Sequence, residues 1–148
     1  MNVKQATFTH MPKTNLQQHI IIDALPSKVW KVLTNPDYID QYLVEGTVES
    51  KWTEGSAITL VNNTEGKKEP ELKGSILQVV PGVLLKYNLL EESSRNFVNM
   101  TYQLIPAEEG IELKFKCEGF ADNEENYVFR VQQTKLLLQK IKWLAEYS

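Results

Sequence analysis

The chain has 148 residues, with 16 Lys and Arg against 19 Asp and Glu, a formal charge of −3, 42% apolar and 24% charged. That balance fits one globular domain with a real core and excludes a disordered chain. It supplies no broad positive field for nucleic acid, and no apolar run exceeds three residues, far below the ~18 that span a bilayer.

Residues 1–15 are polar and read as a loose N-terminal arm, followed by a single domain over 16–148. The arm has no apolar stretch of the secretory kind, so a reducing cytoplasm is the expected location. From Leu16 to Asp23 the chain reads as a strand centred on Ile20–Ile22. Pro26 then suits a first helical turn, and Val29, Trp30 and Leu33 share one helical face. Asn35-Pro36 ends that helix and starts another, with Asn35 as N-cap and Asp37 at the positive end of the dipole. Ile39 and Tyr42 form its buried side.

Between Gly46 and Cys117 the period falls from 3.6 to 2. Turn signals at Glu54-Gly55, Asn62 to Lys68, Pro81-Gly82, Glu91 to Asn96 and Pro106 to Gly110 separate five or six strand-like segments. Val98, Met100, Tyr102 and Leu104 alternate with polar neighbours, as do Ile111, Leu113, Phe115 and Cys117. Half-buried antiparallel strands read this way. Cys117 is the only cysteine, so no intrachain disulfide forms. Its place in the alternation makes it a packing residue rather than a reactive thiol.

Asp122 to Ser148 contains no Pro or Gly and is acidic at its start, which predicts one long closing helix. Tyr127, Val131, Leu137, Leu138, Ile141, Leu144 and Ala145 fall on one broad face. Phe129, Leu136 and Trp143 make a narrower second stripe, expected to be partly covered. A single sheet of six or seven strands cannot bury its apolar face alone. The last helix, at ~1.5 Å per residue over about 24 residues, is the one element long enough to cover it. A straight helix in a curved sheet touches it unevenly, so an elongated gap is expected between them.

The order of elements and several motifs resemble the START-like (SRPBCC, Bet v-like) helix-grip superfamily, an α+β fold. They are most similar to the family named for the C-terminal domain of activators of the 90-kDa heat-shock chaperone's ATPase. The matching residues are Ala24-x-Pro26-x-x-Val29-Trp30-x-x-Leu33-Thr34-x-Pro36, Tyr38-Ile39-x-x-Tyr42, Gly55-Ser56 and Gly74-x-Ile76-x-x-Val79-x-Pro81. Leu85-x-Tyr87, Tyr102-x-Leu104, Gly110, Leu113, Gly119-Phe120 and Trp143-Leu144 continue the match through residue 147. The resemblance implies an apolar ligand cavity, and no cofactor. It does not choose one activity, because the superfamily holds carriers, cyclases and co-chaperone domains. Where the family usually has a tryptophan, this chain has Tyr42, which implies a narrower and more polar pocket end. The separate N-terminal domain of the eukaryotic co-chaperones has no counterpart here, which weighs against chaperone activation.

Arg130 interrupts the apolar arc of the last helix. It is a candidate anchor for a ligand oxygen, or a guanidinium that snorkels outward over apolar surface. Thr134 shares its face and either meets a ligand or bonds back to its own helix. Tyr42, Tyr87, Met100, Tyr102 and Phe115 complete the expected ligand-binding set, each equally explicable as core. His10 and His19 are too far apart for a local metal motif, and no nucleophile, base and orienter set is recognisable. Asp23, Glu54 and Glu118 stand only as lone acid–base candidates. The leading expectation is a cytoplasmic binder of a small apolar or lipid-like molecule, with no assigned catalysis. The alternatives are a co-chaperone-like module or homodimer contacting its partner through the last helix, and a cavity enzyme of the polyketide cyclase type.

Overall fold

From Asn15 to Ile22 the side chains alternate between open and enclosed positions, and this strand forms one edge of the sheet. The computed structural model describes residues 13–43, 46–62, 69–91, 96–121 and 124–148. Strand β1 (Lys13–Ile22) leads into helices α1 (Pro26–Thr34) and α2 (Pro36–Tyr42). Six strands follow: β2 (Gly46–Ser50), β3 (Ala57–Asn62), β4 (Glu69–Val80), β5 (Leu84–Glu91), β6 (Asn96–Ala107) and β7 (Gly110–Ala121). Helix α3 (Glu124–Tyr147) closes the chain. The strands form one seven-stranded antiparallel sheet in the order β1-β7-β6-β5-β4-β3-β2.

β1 begins at Lys13, ahead of the Leu16 expected. Thr14 pairs with Phe120 and Asn15 with Glu118, because a ladder uses backbone groups and β7 reaches far enough to supply them. Residues 1–12 of the expected arm, and the turns expected across 63–68 and 92–95, lie outside the described residues. In α1 the fully buried set is Val29, Val32 and Leu33 rather than Val29, Trp30 and Leu33. At 100° per residue Val32 falls inside the arc and Trp30 at its margin. The Asn35 side chain caps α2 by accepting from the Asp37 N–H at 2.9 Å.

Pro106 was expected in a turn but lies within β6, one residue before its end at Ala107, opposite Ile111 of β7. Its β5 side is vacant, since that pairing stops at Leu84–Gln103, so the missing N–H interrupts no ladder there. β4 contains a bulge between Ile76 and Gln78, which leaves Leu77 without an opposite residue. The bulge switches the inward positions from Leu72 and Ile76 to Val79. Further irregularities at Leu60/Val61 and Thr14/Asn15 add to the curl of the sheet.

α3 covers the concave side, and its two halves sit differently. Leu138, Ile141, Leu144 and Ala145 are buried in the core with Ile22, Val29 and Val32. Polar ties fix the same end: Lys142 Nζ donates to the Ile21 carbonyl at 2.6 Å, and the Asp23 N–H donates to Glu146 Oε2 at 2.8 Å. Lys28 Nζ also donates to the Ser148 carbonyl. The second stripe departs from expectation. Phe129, Leu136 and Trp143 are 63%, 50% and 59% exposed, because they point away from the sheet and no described element lies over them. No helix among the described residues is long and apolar enough to cross a membrane.

Gly110 starts β7 where the end of β1 crosses it. It has φ +105°, and a Cβ there would lie 2.2 Å from the Ile22 carbonyl oxygen. Gly82, at φ +77°, has nothing within 4 Å of the same position. Gly82→Ala is therefore expected to cost about 1–2 kcal/mol from backbone strain alone. Gly110→Ala is expected to cost clearly more, read as a larger drop in urea midpoint at unchanged m-value. Equal losses would show that the Ile22 contact is soft.

Candidate functional site

The first half of α3 keeps its hydrogen bonds to β1, and a pocket of about 270 Å³ opens between it and the rest of the sheet. Leu33 of α1 and Ile39, Tyr42 and Leu43, in and just after α2, close one end. Inward residues of all seven strands form the floor, and α3 contributes Arg130, Gln133, Thr134 and Leu137 as the roof. Among the lining residues the polar side chains are the three phenols, Arg130, Gln133, Thr134 and the indole of Trp52; the rest is hydrocarbon and sulfur.

The pocket brings together every residue singled out from the sequence as a ligand contact. Tyr42, Tyr87 and Tyr102 line it from α2, β5 and β6. Met100 and Phe115 line it beside them, and Arg130 and Thr134 face them from the helix. The Tyr102 and Phe115 rings pack at 4.9 Å between centroids, tilted by 48°. Thr134 Oγ1 donates to the Arg130 carbonyl one turn back at 2.9 Å, so its proton is already engaged by its own helix. Cys117 is buried on the pocket wall. Asp23, Glu54 and Glu118 do not line the space. The Asp23 N–H bonds Glu146, Glu54 Oε1 accepts from the Val79 N–H at 3.2 Å, and Glu118 pairs with Lys116 at 3.5 Å.

Two lining residues with polar groups escaped the sequence reading. Gln133 lies three residues after Arg130 and four before Leu137, so helical spacing places it on the same face. Trp52 continues the every-second-residue line from Val48 beyond the end of β2. Its backbone is left-handed at φ +57°, an uncommon state for a bulky side chain. Ser50 Oγ holds it there, accepting from the Trp52 N–H at 3.0 Å while donating to the Ala57 carbonyl at 2.8 Å. The local strain, of order 1–2 kcal/mol, turns the loop so that the indole forms part of the wall.

The three phenols behave as one buried group. Burial in an apolar wall pushes all three ionisations upward, Tyr87 to about 12, and mutual repulsion raises Tyr42 and Tyr102 further. All three remain neutral over the physiological range. In the unfolded chain they ionise near 10.0. The stability gained by keeping them neutral is fully present below that pH and is lost as pH rises from 10 toward the folded values. Each phenol contributes about 1.4 kcal/mol per pH unit within that window. Tyr42→Phe is expected to flatten the alkaline fall in stability, followed by urea melts between pH 9 and 11; an unchanged slope would place Tyr42 in water.

A family model described as Activator of Hsp90 ATPase homolog 1-like protein matches residues 23–146. A search of curated protein sequences finds no match. Among solved structures, a protein from Cytophaga hutchinsonii is 25% identical with TM-score 0.74, covering 90% of this chain and 93% of its own. A protein of unknown function from Staphylococcus aureus is 15% identical with TM-score 0.76, covering 93% and 96%. The Aha1 dimer from Colwellia psychrerythraea is 16% identical with TM-score 0.73, covering 90% and 97%. The last two likenesses, at such identities, speak to fold alone. With a family match over most of its length and a curled sheet gripping one long helix, the chain belongs to the Activator of Hsp90 ATPase homolog 1-like family, on the START-like helix-grip fold.

Proposed function

We propose that this chain binds a small, largely apolar molecule between α3 and the sheet. The observation that supports it is the 270 Å³ space walled by carbon beneath Arg130, Gln133, Thr134 and Leu137. Protein interiors keep few voids larger than a water molecule. A space of this size, walled almost wholly by hydrocarbon and left unfilled by side chains, suits an apolar occupant. Size narrows the occupant: a dry cavity of about 150 Å³ accepts benzene, so this one suits a two-ring molecule or a short aliphatic chain. A two-tailed membrane lipid does not fit.

Binding is favoured over catalysis, because no carboxylate or histidine is among the described residues that line the space. Neutral phenols orient a ligand without transferring protons near pH 7. The cytoplasm is the compartment this reading assigns, consistent with a sole cysteine that is buried.

A second reading rests on the outer face of α3. Phe129, Leu136, Trp143 and Tyr147 are all at least half exposed. Phe129 and Trp143 lie seven residues to either side of Leu136, so a second copy packed antiparallel on this face sets each Phe129 against the partner's Trp143. Exposed aromatics in such a stripe suit an interface, and the Colwellia psychrerythraea relative is a dimer.

Native mass spectrometry of the full chain tests both readings. We expect a folded species carrying a small adduct that is lost on denaturation. A clean unliganded mass, with no thermal shift from two-ring aromatics or ten-carbon chains, contradicts the binding role. A dimer mass without any adduct moves the assignment to the outer face of α3.

A further inference from the structure

We propose that the occupant of the cavity is an amphipathic monoanion, with an apolar body under α3 and one carboxylate held at the cavity mouth by Arg130 and Gln133. This deepens the binding role proposed above and rests on it. Gln133 lines the cavity and is at the same time exposed to solvent, so it marks where the space meets water. Arg130 lies one turn before it on the same face of α3, lines the same space and is partly buried. Ile39, Leu85, Tyr102, Phe115 and Cys117 line the cavity from the other side and are all buried. The space therefore grades from a wet, polar rim at the helix to a dry, largely apolar floor.

Charge chooses the ligand's head. Among the described residues that line the cavity, Arg130 is the only one charged at neutral pH. A neutral molecule seated beneath it strips water from the guanidinium and gives no counter-charge in return. A carboxylate supplies that counter-charge, and its two oxygens match two parallel N–H groups of the guanidinium fork. Arg130 also interacts elsewhere in the chain, but its five N–H donors leave room for a ligand beside a protein partner. The Gln133 amide adds a neutral donor from the next turn. Thr134 adds none, since its proton goes to the Arg130 carbonyl at 2.9 Å.

Position chooses the orientation. An ionised carboxylate carried down to the hydrocarbon floor would lose its water and gain no cation. The head therefore stays at the rim, and the apolar body fills the 270 Å³ beneath it. One cation matches one negative charge, which favours a carboxylic acid over a dianionic phosphate monoester. A two-ring aryl acid has this form, and so does a medium-chain fatty acid.

Titration calorimetry on the full chain tests the proposal with three probes of similar size: tetralin, naphthamide and naphthoate, of which only the last is charged. Naphthoate is expected to bind about tenfold tighter than the isosteric amide, as suits a charge-assisted pair at a partly wet site. Added salt should lower that ratio, because a pair at the rim is screened. Arg130→Gln should bring the ratio close to one. Gln133→Glu places a carboxylate one turn from Arg130 at an exposed position, where it does not threaten the fold, and should lower the ratio likewise. Gln133→Lys should raise it. The proposal is overturned if the amide binds the unaltered chain as tightly as naphthoate, or if the advantage of naphthoate survives both Arg130→Gln and Gln133→Glu. Either result leaves the cavity reading standing, since the probes still bind. Failure of all three probes to bind overturns both.

Discussion

The closing helix is seated in the core along its later half, while its earlier half is tied only to the edge strand β1 and stands over the cavity. Ile141, at 0% exposure, and Leu138, at 2%, seat the later half of α3 in the core. Lys142 and Glu146 tie it to the carbonyl and N–H groups at the end of β1. The earlier half is held along β1, where Gln18 Nε2 donates to the Val131 carbonyl at 3.0 Å and the Tyr127 hydroxyl to the Asn15 carbonyl at 3.4 Å. The sheet meanwhile curls away, bent by the bulge at Leu77 and the irregularity at Leu60/Val61. The cavity is the consequence of a straight element held against a curved one. Its volume is set by the two short helices and the Trp52 loop, which close the end that α3 does not.

Chemistry follows from where polar atoms enter that space. The sheet contributes phenols and the helix contributes Arg130, Gln133 and Thr134, so the two sides differ in character. Thr134 donates to the Arg130 carbonyl of its own helix, so its proton is not presented to the space. Burial in an apolar wall keeps the phenols neutral over the physiological range.

Much of this was legible in the residues. β6 and β7 are half-buried strands, so strict alternation from Val98 to Leu104 and from Ile111 to Cys117 marked the inner face directly. The buried arc of α3 was legible for the same reason at period 3.6. What escaped depends on interactions that a local pattern does not contain. The gap of three between Ile76 and Val79 is the trace of a bulge, but only pairing with β5 shows which residue is extra. Trp52 reaches the cavity through a left-handed backbone held by Ser50, a state that tryptophan itself does not favour. Pro106 reads as a turn until β5 is seen to stop short of it. The stripe of Phe129, Leu136 and Trp143 shows apolarity but carries no information on what covers it, and within the described chain nothing does.

The central claim is that the space under α3 is open volume built for a ligand, and filling it from the helix side tests that most directly. Leu137 faces the cavity on the same arc as Arg130 and Gln133. With room available, Leu137→Phe should raise the urea midpoint and abolish tetralin binding together. In a closed core the same change overpacks and lowers stability by about 1–3 kcal/mol. A lowered midpoint with tetralin still bound would contradict the claim.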